Sequence, residues 1–365
     1  MKKVLFVATV TRHINAFHIP YLKWFKEQGY EVHVASNGGE NIEYCDKHFN
    51  IPFERFPIKL GNIKAYKQLK SIIDENQYEI IHCHTPVGGV LTRLAARKAR
   101  KKYHTRVIYT AHGFHFYKGA PLLNWIIYYP IEKWLSKYTD CLITINEEDY
   151  QRAKSKFKKA KRIELVHGVG VDENKFKQDM TEEEKLKLRE ELGIEKEDFV
   201  IIQVGELNKN KNQIMSIEAM KMVIKVKANI KLLLVGTGTL KRVYENKIKE
   251  YGLEKNIMLL GFRTDVPKLL RISNCLISTS KREGLPINVI EAQISRLPVI
   301  ATNCRGNCDL VPRENLVKIG DTEKLALKIV KICNNKENII YKAEKYYSDR
   351  ILDVFRKKIY REEDV

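Results

Sequence analysis

The chain predicts an α/β protein of two Rossmann-like, doubly wound domains facing across a cleft. Three observations carry that reading. Short, β-branched apolar runs alternate with amphipathic stretches from residue 3 to about residue 166. The same alternation restarts at residue 199. The 365 residues also exceed the length that one hydrophobic core usually serves. Repeated strand–helix–strand order gives parallel sheets covered by helices on both faces.

In the first half, residues 4–9, 31–36, 79–83, 107–111, 141–145 and 163–166 form runs short enough to be strands. Residues 16–28, 63–75, 88–101 and 146–157 carry helical spacing between them. In the second half the strand candidates are 199–204, 231–235, 257–260, 275–278 and 298–301. The join falls within residues 169–176, where Gly168 and Gly170 loosen the chain ahead of a charged, solvated helix at 181–191. No Ser- or Pro-rich linker separates the halves, so they are expected to pack rather than float. The expected divisions are 1–170, 171–345 and a closing helix at 346–365, whose return to the first domain is left open.

A formal net charge of +20 asks for an anionic partner: nucleic acid, an anionic membrane surface or a phosphorylated substrate. No nucleic-acid-binding fold signature is present, so no nucleic acid is expected. No run of about 18 apolar residues predicts a membrane-spanning helix. The apolar N-terminal run ends in Thr11-Arg12-His13 without a small-residue cleavage site, which reads as a first strand and not a signal peptide. Seven scattered cysteines, with Cys304 and Cys308 lacking a second ligand pair, point to a reduced, cytoplasmic, metal-free protein.

The chemistry centres on Ser280-Lys281-Arg282-Glu283-Gly284-Leu285-Pro286, followed by Glu291. Glu283 follows a buried run, so it sits at the carboxyl end of a strand, where open α/β sheets bind ligands. Gly284 permits close backbone approach, Pro286 suits a helix entry, and Glu291 lies one turn further on. Amides at a helix N-terminus suit phosphate, and two carboxylates beside them suit sugar hydroxyls. That outlines a diphospho-sugar site.

Two glutamates at this spacing with Gly-Leu-Pro after the first resemble the signature of retaining glycosyltransferases of family 4, which have the GT-B fold. The resemblance extends over roughly residues 3 to 330 and is nearest in style to bacterial enzymes of capsular or extracellular polysaccharide synthesis. It implies that Glu283 contacts the donor sugar, Glu291 the nucleotide ribose, and Lys211 the departing diphosphate. Where the family usually has arginine, this chain has Glu206, which cannot supply bidentate phosphate contacts. Either Lys209 or Arg282 supplies that charge, or the contact is missing. Gly205, Gly236 and Gly238 fit strand-to-loop turns beside a nucleotide, and Phe262 and Arg263 match a segment beside its base. Arg282, Gly284, Leu285 and Pro286 complete the donor set.

In the first half, residues 10–18 contain none of the glycines of a nucleotide loop. They read as a polar loop left for the acceptor, with Arg12, His13 and His18 addressing an acceptor phosphate. His82 and His84 share one strand face, but with no carboxylate or third histidine nearby no metal is expected. His84 is grouped with the acceptor residues. His112, in Tyr109-Thr110-Ala111-His112-Gly113, matches the family's cleft histidine, which contacts the transferring sugar.

The stretch 121–135, with Trp125, Tyr128, Tyr129 and Trp134, suits an interfacial helix or a core-facing one. Arg93, Arg97, Lys98, Arg100, Lys101, Lys102 and Arg106 form a basic cluster suited to anionic headgroups. Membrane contact is assigned to Arg97, Lys101, Trp125, Tyr128 and Trp134.

The expected function is a retaining, metal-independent hexosyl- or N-acetylhexosaminyltransferase. Its donor is a nucleotide sugar, UDP-linked by expectation, and its acceptor lipid-linked or saccharide. The resemblance implies no cofactor and a peripheral position on the inner face of the cell membrane. The alternatives are a nucleotide-sugar epimerase of the same fold and an inactive membrane-bound scaffold.

Overall fold

The computed structural model describes residues 1–56, 59–334, 341 and 343–361. The chain divides into two units, Met1–Gly170 joined by Asp349–Val365, and Val171–Ser348.

Seven parallel strands build the first unit's sheet. In chain order it comprises β1 (Lys3–Val10), α1 (Thr11–Phe17), α2 (Ile19–Glu27), β2 (Glu31–Asn37), β3 (Lys47–Asn50) and α3 (Gly61–Asn76). Then come β4 (Ile80–His84), α4 (Pro86–Ala95), α5 (Arg97–Lys102), β5 (Arg106–Ala111), α6 (Leu122–Leu135), β6 (Cys141–Thr144), α7 (Glu147–Lys156) and β7 (Arg162–Leu165). The spatial order is β3-β2-β1-β4-β5-β6-β7. Connections leave β1 in one direction and β4 in the other, so the sheet's switch point lies at the carboxyl ends of these two strands. Both sheet faces are buried. Leu5, Val7, Ile81 and Val107 pack one way, and Val4, Phe6, Ile80 and Ile108 the other. This double burial is why the strands read as continuous apolar runs and not as alternating ones.

The second unit runs α8 (Glu173–Lys177), α9 (Glu182–Glu191), β8 (Phe199–Val204), α10 (Gln213–Val223), β9 (Ile230–Val235) and α11 (Lys241–Glu250). It continues through β10 (Ile257–Gly261), α12 (Val266–Ile272), β11 (Cys275–Ser278), α13 (Ile287–Ile294), β12 (Val299–Thr302), β13 (Leu316–Val317) and α14 (Thr322–Asn334). Its parallel order, β10-β9-β8-β11-β12-β13, puts the switch point between β8 and β11. The solvated helix α9 is opened by a reciprocal capping box of Thr181 and Glu184.

After this unit α15 (Ser348–Val354) leads into a π-helical turn, Phe355–Ile359. Phe355, Ile359 and Tyr360 are buried in the first unit's core beside Phe25 and Val4. Arg106 anchors them by donating to the carbonyls of Ile359 and Tyr360, each at 2.8 Å.

Three readings of the sequence are corrected. Residues 10–18 do not form a loop: buried Thr11 and Ile14 fold them into α1, which places Arg12 and His13 on a helix. The single helix expected over 16–28 is therefore broken at His18, and Pro20 opens α2 in its first turn, where a missing N–H does no harm. The edge strands β3 and β13 had no counterpart in the sequence reading. At 4 and 2 residues they are too short to show a periodicity.

Candidate active site

At the second unit's switch point, two loops bring a lysine and a glutamate together. After β8, the Asn208 side chain accepts the N–H groups of Asn210 at 3.0 Å and Lys211 at 2.9 Å, turning the chain back on itself. Asn212 completes the turn in the left-handed region at φ 57°, a conformation asparagine tolerates. From the loop after β11, the Thr279 hydroxyl lies 3.0 Å from the carbonyls of both Lys211 and Asn212. Gln203 Nε2 donates to that hydroxyl at 2.8 Å, so buried polar groups tie the two loops together. Lys211 Nζ then reaches Glu283 Oε1 at 2.7 Å.

Glu283 is fixed by its backbone. Its N–H donates to the Arg305 carbonyl at 3.2 Å, and Arg305 Nε donates back to the Glu283 carbonyl at 2.9 Å. Gly306, at φ 83°, lies directly under this loop: a Cβ there would stand 2.8 Å from the Gly284 oxygen and 2.9 Å from Glu283 Cβ. Gly236 and Gly238 have a comparable steric reason. A Cβ on either would collide with the carbonyl oxygens of Gly205 and Leu207 respectively, so these glycines let the loops after β8 and β9 nest.

Pro286 is the N-cap of α13, and Asn288 Nδ2 docks the helix to β8 through the Val204 carbonyl at 2.9 Å. Leu285 packs partly buried against the core. Glu291 lies in the second turn of α13, where burial pushes its carboxyl up to about 7. Lys209, Glu206 and Arg282 are exposed. Phe262 is also exposed, and Arg263 is held by Asp265 at 2.8 Å. The sequence offers Lys209 and Arg282 for the charge missing at Glu206 and carries no local signal for Arg305. Only the contact across 22 residues to Glu283 reveals Arg305.

At the first unit's switch point four histidines gather. His13 comes from α1, His18 from the α1–α2 junction, His84 from the end of β4 and His112 from the residue after β5. One ring nitrogen of each lies within 4.8 Å of one from every other. This overturns the expectation that no third histidine stands near His84, since the partners arrive from three other segments. His82 is outside the group. Its nitrogens are engaged by the Tyr360 hydroxyl and Thr110 Oγ1, each at 2.8 Å. Burial and mutual repulsion hold His18, His84 and His112 well below the usual histidine range, and burial brings His13 to about 4. His13 and His18, expected at an acceptor phosphate, thus stand in one cluster with His84 and His112. Arg12 is exposed on α1, and Arg55 lines a pocket with Thr9, His13 and Thr85.

The membrane set is partly corrected. Trp125 packs on Phe116 and under the Arg152 guanidinium, and Tyr128 stacks on His115 at 4.7 Å, so both face inward. The outward face of α6 is Leu122, Leu123, Ile126, Ile127, Ile131 and Trp134, with Leu122 73% exposed. The basic cluster also thins. Arg93 is buried against Glu132 at 2.9 Å, Arg100 pairs with Asp140 at 2.7 Å, and Arg106 holds the C-terminal turn. Arg97, Lys98, Lys101 and Lys102 are exposed. Among the described residues no helix is long and apolar enough to cross a membrane.

Known proteins resemble this chain in sequence and fold. Residues 3–146 match the family described as glycosyl transferase 4-like, and residues 184–347 the family described as glycosyl transferases group 1. The putative glycosyltransferase EpsD of Bacillus subtilis is 45% identical, over 92% of this chain and 88% of that protein. The Escherichia coli UDP-Gal:alpha-D-GlcNAc-diphosphoundecaprenol alpha-1,3-galactosyltransferase is 30% identical, over 83% of this chain and 80% of its own. Among solved structures, Anabaena HepE in complex with UDP and glucose superposes with a TM-score of 0.72 at 18% identity, covering 98% of this chain and 95% of that one. The last comparison speaks to fold alone. With its two parallel-sheet units, both family matches and a relative of this identity, the chain belongs to family 4 of the GT-B glycosyltransferases.

Proposed function

We propose that this glycosyltransferase moves a hexosyl or N-acetylhexosaminyl group from a UDP-sugar to a lipid-linked saccharide, with retention at the anomeric carbon, in building a bacterial polysaccharide. The observation that carries the donor half is the Lys211–Glu283 pair at the switch point of the second unit. The named substrates of the Escherichia coli relative support a UDP-sugar donor and a diphosphoundecaprenol-linked acceptor.

In this reading the diphosphate lies against Lys211 and the N-terminal amides of α13, where the ammonium and the helix dipole offset its charge. As the bond to the anomeric carbon breaks, negative charge builds on the leaving oxygen, and Lys211 stabilises it where a metal would serve in other transferases. Glu283 is released from Lys211 to accept hydrogen bonds from the sugar hydroxyls. Glu291 addresses the ribose. The acceptor hydroxyl attacks from the face the leaving group vacates and passes its proton to the leaving phosphate oxygen, so no enzymic nucleophile is needed. The acceptor lies on the first unit, its anionic part toward Arg12 and Arg55. Its lipid runs to an apolar pocket lined by Val87, Val90, Phe114, Phe116, Ile127 and Ile131. The exposed face of α6 and the exposed basics of α5 would hold this unit against the inner leaflet of the cell membrane.

The test is transfer from a panel of UDP-sugars to a polyprenyl-diphosphate-linked sugar, with the product anomer read by NMR. Retention with one donor supports the reading. An inverted product, or turnover of the donor without acceptor, overturns it, and the second outcome would indicate an epimerase.

A further inference from the structure

We propose that His13, His18, His84 and His112 form a binding site for one divalent transition-metal ion of the Zn²⁺ class, at the switch point of the first unit. The proposal rests on this cluster, whose His13 also lines the pocket with Arg55 to which the acceptor's anionic part is assigned above.

Three observations carry it. The first is geometry. One nitrogen from each residue lies within 4.8 Å of all the others. Tetrahedral Zn²⁺ with Zn–N bonds of about 2.0–2.1 Å sets its ligands roughly 3.4 Å apart, so closing the site needs side-chain shifts of about 1 Å. The rings are already in contact: His18 stacks on His84 at 3.9 Å between centroids, and His13 meets His112 edge-on at 4.8 Å.

The second is unsatisfied polarity. The Nε2 atoms of His13, His18 and His84 are buried and have no hydrogen-bond partner among the described residues. His18 is 2% exposed and His84 1%. Buried polar nitrogens are nearly always satisfied, and leaving three orphaned in one cluster is costly. His82, two residues before His84 on the same strand, has both nitrogens bonded, so the orphaning does not follow merely from burial of a histidine here.

The third is rigidity. Two ligands stand at the ends of adjacent sheet strands, β4 and β5, one on α1 and one at the α1–α2 junction, so the set is held by the fold and not by a free loop.

An all-imidazole set selects among Zn²⁺, Co²⁺, Ni²⁺ and Cu²⁺ and against Mg²⁺ or Ca²⁺, which prefer oxygen ligands. Ligation through one nitrogen leaves the proton on the other. A loaded site would therefore fix the tautomer of His112 and present its second nitrogen as a donor.

The experiment uses the full chain purified without a polyhistidine tag. Elemental analysis after gel filtration is expected to find close to one equivalent of Zn²⁺ or a neighbouring metal. Chelator-stripped protein should take up one equivalent of ZnCl₂ in calorimetry, with a higher Tm. Loading with Co²⁺ should give the visible absorption of a tetrahedral nitrogen site. His18→Ala and His84→Ala should abolish stoichiometric uptake. Should those buried variants fail to fold, the part-exposed His13→Gln should still weaken uptake at least 10-fold, while His48→Gln, outside the cluster, should not. Uptake below a tenth of an equivalent, without a Tm shift, overturns the proposal. So does undiminished uptake by the folded cluster variants.

Discussion

Lys211 Nζ stands 2.7 Å from Glu283 Oε1, joining loops 72 residues apart in the chain. Each side chain retains some exposure, 22% for the lysine and 12% for the glutamate, so a ligand can reach the pair and either group can exchange partners. Glu283→Gln should therefore lower transfer by about 10²–10³-fold, the scale of one preorganised polar contact, with little change in Tm. Lys211→Ala should lower kcat similarly, since its charge matters most as the leaving group departs. Equal rates for variant and wild type, measured with the UDP-sugar found in the panel, would put the diphosphate elsewhere.

Glu291 offers a pH test. Burial raises its carboxyl from the ordinary 4.5 to about 7, so the folded chain binds a proton between those values that the unfolded chain has released. Stability from this group is thus full below about 4.5 and is lost as pH rises towards 7. Glu291→Gln should flatten that part of the pH–stability curve and leave the variant relatively more stable at pH 8. Urea unfolding at pH 5, 6, 7 and 8 measures it. An unchanged slope would mean the carboxyl titrates normally.

Much of the second unit was legible in the sequence because its signals are local. Glu283, Gly284 and Pro286 stand in one run at the end of a readable strand, and the spacing to Glu291 marks a helix. Arg305 was not legible, since its link to Glu283 is a backbone-to-side-chain bond between separate loops. The histidine cluster was hidden for the same reason. Its four members lie at positions 13, 18, 84 and 112 and meet only because β1, β4 and β5 are neighbours in the sheet. On α6 the composition was readable and the orientation was not. Both faces of that helix are apolar, so periodicity could not choose which aromatic residues face inward.

The buried ion pair between Arg93 and Glu132 gives a stability prediction. Arg93 is 1% exposed, 2.9 Å from the carboxylate, and its guanidinium carbon lies 4.0 Å from the centre of the Tyr109 ring. Removing one partner strands the other charge, so Arg93→Met should destabilise the chain by about 3–5 kcal/mol. The double variant Arg93→Met/Glu132→Leu should recover much of that loss, because no uncompensated charge remains. Chemical unfolding of the single and double variants reads the coupling. Additive losses would show that the two groups do not act as a pair.

The last prediction separates the two faces of α6. Leu123 and Ile126 are 63% and 62% exposed, whereas Trp125 packs partly buried against the core between them in sequence. If the outward face inserts into a bilayer, Leu123→Glu and Ile126→Glu should reduce co-sedimentation with vesicles containing anionic lipid and leave Tm nearly unchanged. Trp125→Ala should do the reverse, lowering Tm through lost packing with Phe116 and Arg152. The exposed basics add an electrostatic part that salt can isolate. Attraction to headgroups extends over a Debye length of about 10 Å at ~0.1 M salt and shrinks as salt rises. Replacing Arg97 and Lys101 together should therefore weaken binding at low salt and matter less at 0.5 M or so. The two leucine-face variants should keep their defect at both concentrations, since apolar insertion is not screened. Vesicle binding unaffected by either set of substitutions would return this face to ordinary exposed surface.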